Sequence, residues 1–140
     1  MSIWFKSPTI AQLNNQFQKA MIAQLGIEIT AIQTNALLAT MPVDERTKQP
    51  FGYLHGGASV VLAETLGSIA SGLCVDDEKF YPVGQSIFAN HMKSVCQGVV
   101  TGKATPLHLG KHSHVWQIEI VDEQQRLICN AQLTTAIIVK

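Results

Sequence analysis

Two periods of apolar residues run through this chain, and the switch between them outlines its elements. Ile10, Leu13, Phe17, Met21 and Leu25 recur at helical spacing behind Ser7-Pro8-Thr9, which predicts one amino-terminal helix starting near Pro8 or Thr9. Gly26 is placed to close it. Segments 27–32 (IEITAI) and 36–41 (ALLATM) read as two strands around the turn-like Gln33-Thr34-Asn35. Residues 42–55 form a polar loop with two prolines and Gly52, long enough to suggest a functional role. Segment 57–73 has helical length and is apolar or small nearly all round, so it is predicted to be a buried helix. Residues 76–80 (DDEKF) read as an exposed turn. Four strands follow at roughly 81–96, 97–107, 112–122 and 126–139, rich in β-branched residues and separated by turns at Pro106 with Gly110 and at Asp122 with Glu123. Helix, two strands, buried helix and four strands imply an α+β fold, an antiparallel sheet wrapped around one central helix.

Composition narrows the function classes. The 140 residues fit a single domain over 1–140, and no repeat or linker divides them. Hydrophobic residues make up 46% and charged residues only 14%, a low charge content that predicts burial of surface against further copies of the chain. Basic and acidic residues balance at 10 each, which argues against a nucleic-acid partner. Cys74, Cys96 and Cys129 are odd in number and form no CxxC, so neither a disulfide framework nor a zinc knuckle is expected. No stretch reads as a signal peptide or a membrane helix, and a cytoplasmic location without a membrane partner is the expectation.

Glu64 is the outlier among the candidate chemical groups. It is the only charged residue between His55 and Asp76, and its helical neighbours are Val60, Val61, Gly67 and Ser68. A carboxylate on such a face loses solvation, as catalytic carboxylates do; the alternative is a glutamate that faces solvent. Ser68, four residues on, shares its face and could orient a water, or simply pack. His55-Gly56-Gly57 precedes the helix, where glycines admit a ligand to free N–H groups at the positive helix end; a plain glycine turn is the alternative. His108, His112 and His114 lie close together, with His112 and His114 expected on one strand face, but no acidic or cysteine ligand joins them and no metal is expected. The Gly110-Lys111 turn with its histidines and Ser113 better suits a phosphate, and Asn90-His91-Met92-Lys93-Ser94 offers a second cluster of this kind. Ordinary turn chemistry is the alternative for both.

The run MPVDERTKQPFGYLHGGASVVLAETLGSIA (41–70) resembles the hot-dog thioesterases of the phenylacetate-degradation type, and within them the 1,4-dihydroxy-2-naphthoyl-CoA thioesterase subgroup of the menaquinone pathway. The likeness continues through ANHMKS, PLHLGK, VWQIEIVDE and RLICNAQLTTAI, leaving out the first two dozen residues. The HGG, seven-residue spacer and Glu pattern is its most specific part. The resemblance implies a sheet curled around a central helix, dimers that pair into tetramers, and a thioester site at the dimer interface without cofactor or metal. It makes Glu64 the catalytic carboxylate and Gly56 the backbone donor to the thioester carbonyl. Gln49 and His55 match positions near that carbonyl, and Ser68 the hydroxyl one turn beyond Glu64. Gly84, the segment His91-Met92-Lys93-Ser94 and the segment His108-Leu109-Gly110-Lys111-His112-Ser113 match coenzyme-A-binding positions. Two departures stand out: Gln85-Ser86-Ile87-Phe88 replaces the usual aliphatic, acid and Asn, and Lys93 stands where an Arg is usual, keeping charge but losing the planar fork.

The expected activity is therefore hydrolysis of an acyl-CoA, aromatic by resemblance, with Glu64 as nucleophile or general base. Two other readings stay open. One is a hot-dog hydroxyacyl-thioester dehydratase using His55 and Glu64. The other is a non-catalytic acyl-CoA-binding module, since fold alone does not fix function.

Overall fold

The β-branched segments pair into one antiparallel sheet of six strands in the order β1-β2-β4-β5-β6-β3. The computed structural model describes residues 1–140. Its elements are α1 (Ile10–Phe17), α2 (Ala20–Gln24), β1 (Glu28–Ile32), β2 (Leu37–Pro42), α3 (Gly56–Leu73), β3 (Phe80–His91), β4 (Val99–Leu109), β5 (Ser113–Val121) and β6 (Leu127–Val139). The central helix α3 touches β2, β3, β4, β5 and β6, so the sheet wraps it in the hot-dog arrangement that the resemblance implies. Every second residue of β5 (His114, Trp116, Ile118, Ile120) is buried, and that face meets Leu62, Ala63, Leu66 and Ala70 of α3. Gly67 lets the helix come close, because a Cβ there would lie 2.5 Å from Leu133 Cδ2 on β6. One polar link crosses this core: Trp116 Nε1 donates to Ser71 Oγ at 2.7 Å, and Ser71 Oγ meets Thr135 Oγ1 at 2.8 Å. Bonded to each other, these buried polar groups escape the cost of lying in the core unpaired.

The sequence expectations fail at two boundaries. The single amino-terminal helix is two. Thr9 caps α1 through a reciprocal capping box with Gln12, but the helix stops at Phe17. Lys19 is extended (φ −140, ψ 162) and Ala20 has a positive φ of 50, which breaks the helical period before α2. Side chains of α1 pull the chain toward β1 instead. Asn14 bonds both the N–H and the carbonyl of Ile29, at 2.8 and 2.9 Å, and Gln18 donates to the Ile27 carbonyl at 3.3 Å. Met21 is consequently exposed and Leu13 alone of the predicted stripe is fully buried. Gly26 ends the segment at φ +69, as expected of it. The strand predicted over 81–96 also ends early, at His91. There the N–H groups of Met92 and Lys93 both turn to the Ile128 carbonyl and the chain leaves the sheet.

Candidate active site

The loop 42–55 delivers the chain to the start of α3. Thr47, buried, anchors it by donating to the Pro42 carbonyl at 2.7 Å, and the Thr47 carbonyl accepts the His55 N–H at 2.8 Å. His55 is extended (φ −67, ψ 129), and its Nδ1 accepts the Gly57 N–H at 2.8 Å, which makes it the helix N-cap. A neutral His55 then carries its proton on Nε2. The Ala58 N–H is taken by the His55 carbonyl at 3.0 Å. Gly56 N–H makes no hydrogen bond within the chain, and it sits at the positive end of an 18-residue helix. A Cβ on Gly56 would lie 2.7 Å from His91 Nε2, so glycine is what lets that ring lie beside the free donor.

A cavity of about 280 Å³ opens here, with Gln49, Gly56, His91, Met92, Lys93 and Ser94 on its walls. Gln49 is fixed by its backbone, which bonds Tyr53 at 2.8 Å and Gly52 at 2.9 Å, and by its Oε1, which accepts the Phe51 N–H. Its amide NH₂ is its free donor. The structure thus gathers Gln49, Gly56 and the 91–94 segment, as the sequence suggests, and adds Ser59, which nothing in the sequence singles out.

Glu64 and Ser68 share a different and larger cavity, of about 650 Å³. Glu64 is half-buried and forms no ion pair. Thr65 stands beside it, and Leu13, Phe17 and Ile22 from the first two dozen residues form part of the apolar wall. Those residues fall outside the family resemblance; only the helical spacing of Leu13 and Phe17 hinted at a buried role. Gly84 belongs with Glu64: a Cβ there would lie 2.6 Å from Glu64 Oε1. It is not grouped with the 91–94 and 108–113 segments that the resemblance assigns to the same coenzyme.

The hairpin joining β4 to β5 carries the third group. The Gly110 N–H donates to the Ser113 carbonyl at 2.9 Å, and Leu109, Gly110 and Lys111 edge a further cavity of about 490 Å³. His108 and His112 are exposed. His114 is not their neighbour on a strand face, because β5 begins only at Ser113 and His114 points into the core, 3% exposed. Burial, and then the charge of nearby His108, push its imidazole below the ordinary value of 6.5, against the pull of the Gly110 backbone. Buried in this way, His114 is a core residue rather than a phosphate contact.

The two principal cavities cannot serve one carbonyl within one chain. Gly56 and Glu64 lie eight residues apart on α3, which is about 12 Å along the axis. Reacting atoms must come within about 3–3.5 Å.

Known proteins share this fold and much of this sequence. The model of the thioesterase superfamily matches residues 51–129. The 1,4-dihydroxy-2-naphthoyl-CoA hydrolase of Escherichia coli K12 is 52% identical over 136 residues, covering 97% of this chain and 99% of that protein. The proofreading thioesterase EntH of Cronobacter turicensis is 49% identical over 135 residues, covering 96% and 98%. A crystal structure of a mutant thioesterase from Pseudomonas aeruginosa superimposes with a TM-score of 0.97 at 45% identity, covering 99% of this chain and 100% of that one. No helix is long and apolar enough to cross a membrane. With the family model spanning residues 51–129, and with these relatives matching almost end to end, the chain belongs to the thioesterase superfamily.

Proposed function

We propose that this protein hydrolyses acyl-CoA thioesters, with Glu64 as the catalytic carboxylate and the Gly56 N–H as the donor to the carbonyl oxygen. The observation that carries the reading is Glu64 itself. It is half-buried beside Ser68 in the larger cavity, and although Lys6 and Lys140 line that cavity too it forms no ion pair with either, which leaves the carboxylate free for chemistry. As general base it takes a proton from water while the water oxygen bonds to the thioester carbon. As nucleophile its own oxygen makes that bond, and water then cleaves the resulting anhydride. In both routes the carbonyl oxygen gains charge beside the free Gly56 N–H, the C–S bond breaks, and the coenzyme leaves as a thiol. Gln49, His55 and Ser68 position the carbonyl and the water.

The separation of Gly56 from Glu64 requires Glu64 of one copy to face Gly56 of another. The chain accordingly acts as a homodimer, which pairs again into a tetramer. Strand β3 supports this, since it ends the sheet with an unpaired edge and exposes Tyr81, Val83 and Phe88. Coenzyme phosphates are met by Lys93, by Lys111 and by the Gly110 turn, with His91, Met92, Ser94, His108, Leu109, His112 and Ser113 around them. The acyl group is aromatic, on the likeness to the naphthoyl-CoA hydrolase, and the location is cytoplasmic, in keeping with three free cysteines. Glu64→Gln is the test. Its turnover of an aromatic acyl-CoA, followed by thiol release, should fall at least roughly a hundredfold. Near-wild-type hydrolysis would remove Glu64 from the chemistry, and enoyl-CoA formation without thiol release by the wild type would point to a dehydratase.

A further inference from the structure

The Glu64 cavity has a neighbour. Val75 and Phe80 line both it and the 490 Å³ cavity, so these two side chains form a shared wall. On the far side the lining is mainly apolar, with Ile3, Phe5, Leu109 and Ile137 beside Cys74 and His114, and it includes the charged Asp76 and Lys111. Burial pushes the Cys74 thiol up to about 12, so it stays protonated and behaves as a small apolar group. On the near side a trough leads from the carboxylate to this wall. Glu64, Ser68 and Gly72 lie one turn apart on one face of α3, and the latter two are small. The trough is about 12 Å long from Glu64 to Gly72.

Phe80 is the movable part of the wall. It opens β3, opposite Val139, and its N–H is held by the Asp76 carbonyl at 2.9 Å. Its ring is only half-buried and is not packed into the hydrophobic core. The side chain can therefore be changed without opening a hole in the core. The geometry points to Phe80, backed by Val75, as the stop that sets the longest acyl group this site accepts, with a second hollow behind it that is apolar against Phe80 and carries Lys111 and Asp76 only at its rim. This deepens the thioesterase reading and rests on it. A compact aromatic or medium-length acyl group fits in front of the stop. A long straight chain reaches Phe80 and is rejected.

The experiment compares wild type, Phe80→Ala and Phe80→Trp on benzoyl-CoA and on straight-chain acyl-CoAs from short to long. Each methylene newly buried in an apolar chamber is worth about fourfold in affinity. Phe80→Ala should therefore raise kcat/KM for the longest chains by at least about tenfold relative to the shortest, with benzoyl-CoA changed by less than about threefold. Phe80→Trp should shift the cut-off to shorter chains. Affinities for S-alkyl-CoA thioethers, which cannot be hydrolysed, give the same length profile without turnover. Should Phe80→Ala not fold, Phe80→Leu is expected to show a smaller shift in the same direction. An unchanged length profile in a folded variant overturns the inference, as does an equal gain at every length. If the wild type hydrolyses no acyl-CoA, the thioesterase reading falls, and thioether binding still decides whether Phe80 limits length.

Discussion

Gly84→Ala separates the position of the Glu64 carboxylate from the stability of the fold. The added methyl would start 2.6 Å from Glu64 Oε1 and 3.7 Å from its Cδ, with nothing else inside 4 Å. An ordinary contact begins near 3.4 Å, so the carboxylate must retreat by about 0.8 Å. The group that moves is the far end of a flexible side chain, and Gly84 does not sit at a positive φ, so the backbone accepts alanine. Replacing a strand glycine at a compatible site stabilises by about 0.4–1 kcal/mol, chiefly by restricting the unfolded chain. Thermal unfolding should therefore hold its midpoint or rise by about 1–4 °C. Turnover should not hold. A misplacement near 1 Å can cost about a hundredfold, so kcat is expected to fall roughly tenfold to a hundredfold with KM little changed.

The assay is thiol release from an aromatic acyl-CoA, run beside a melting curve. A second comparison sharpens it. If Gly84 acts through Glu64, adding Gly84→Ala to Glu64→Gln removes little further activity, because two changes to one functional unit do not add. Full activity in the alanine variant would refute the reasoning. So would a drop of several degrees in its midpoint, which would mean that the methyl meets something rigid.

Other perturbations follow from the same geometry. Gly56→Pro deletes the free N–H at the first helical position, whose backbone suits proline, and its Cβ pushes on His91 in the same cavity; both effects fall on that half of the site, so the variant should be inactive alone. Mixed with Glu64→Gln chains and re-paired, it should recover up to roughly a quarter of wild-type activity, since half of random dimers are mixed and carry one intact site; no recovery refutes the shared site. Lys111→Glu should weaken acyl-CoA substrates far more than a short thioester lacking the nucleotide, because reversed charge repels phosphate and leaves Glu64 untouched; equal slowing of both removes Lys111 from the coenzyme site. Asp122, despite burial that opposes it, is held below its ordinary 3.8 by the Arg126 backbone and guanidinium, so its contribution to stability is full above 3.8 and is lost as pH falls through the lowered value. Asp122→Asn should flatten the acid limb of a melting-temperature profile, and an unchanged limb would show that the Arg126 pair adds nothing.

Most elements were legible because their patterns are local. The nearly all-apolar run of α3 and the β-branched strands declare burial without reference to the rest of the chain, and apart from the early end of β3 each lies within two residues of its predicted span. The helix over Pro8 to Leu25 was misread because its interruption is tertiary. Asn14 finds Ile29, and nothing in the spacing of Leu13, Phe17 and Met21 reports that bond. His114 was misgrouped for a related reason: whether β5 begins at His112 or Ser113 decides which way a histidine points, and strand ends are set by pairing with β6. Gly84 is marked only by the family resemblance and by no local pattern, because its requirement comes from a glutamate twenty residues earlier, across the helix–sheet boundary.

The HGG-to-Glu pattern is misleading about proximity. Read along the chain, Gly56 and Glu64 look like neighbours in one site. The helix that links them also holds them about 12 Å apart, with one at its free N-terminal end and the other two turns up its flank. Their cavities differ accordingly, the first edged by the loop holding Gln49 and the second by α1. A rigid, buried helix cannot bend to bring them together, since Leu62 and Leu66 are fully buried. A fixed spacing on a rigid rod is useful only to something that meets both ends, and in the proposed dimer a twofold-related copy would do so, presenting its Glu64 to this Gly56 and its Gly56 to this Glu64. On this reasoning the spacing is a property of the assembled pair, and changing the length of α3 between them should abolish activity even where each residue and its own cavity remain intact.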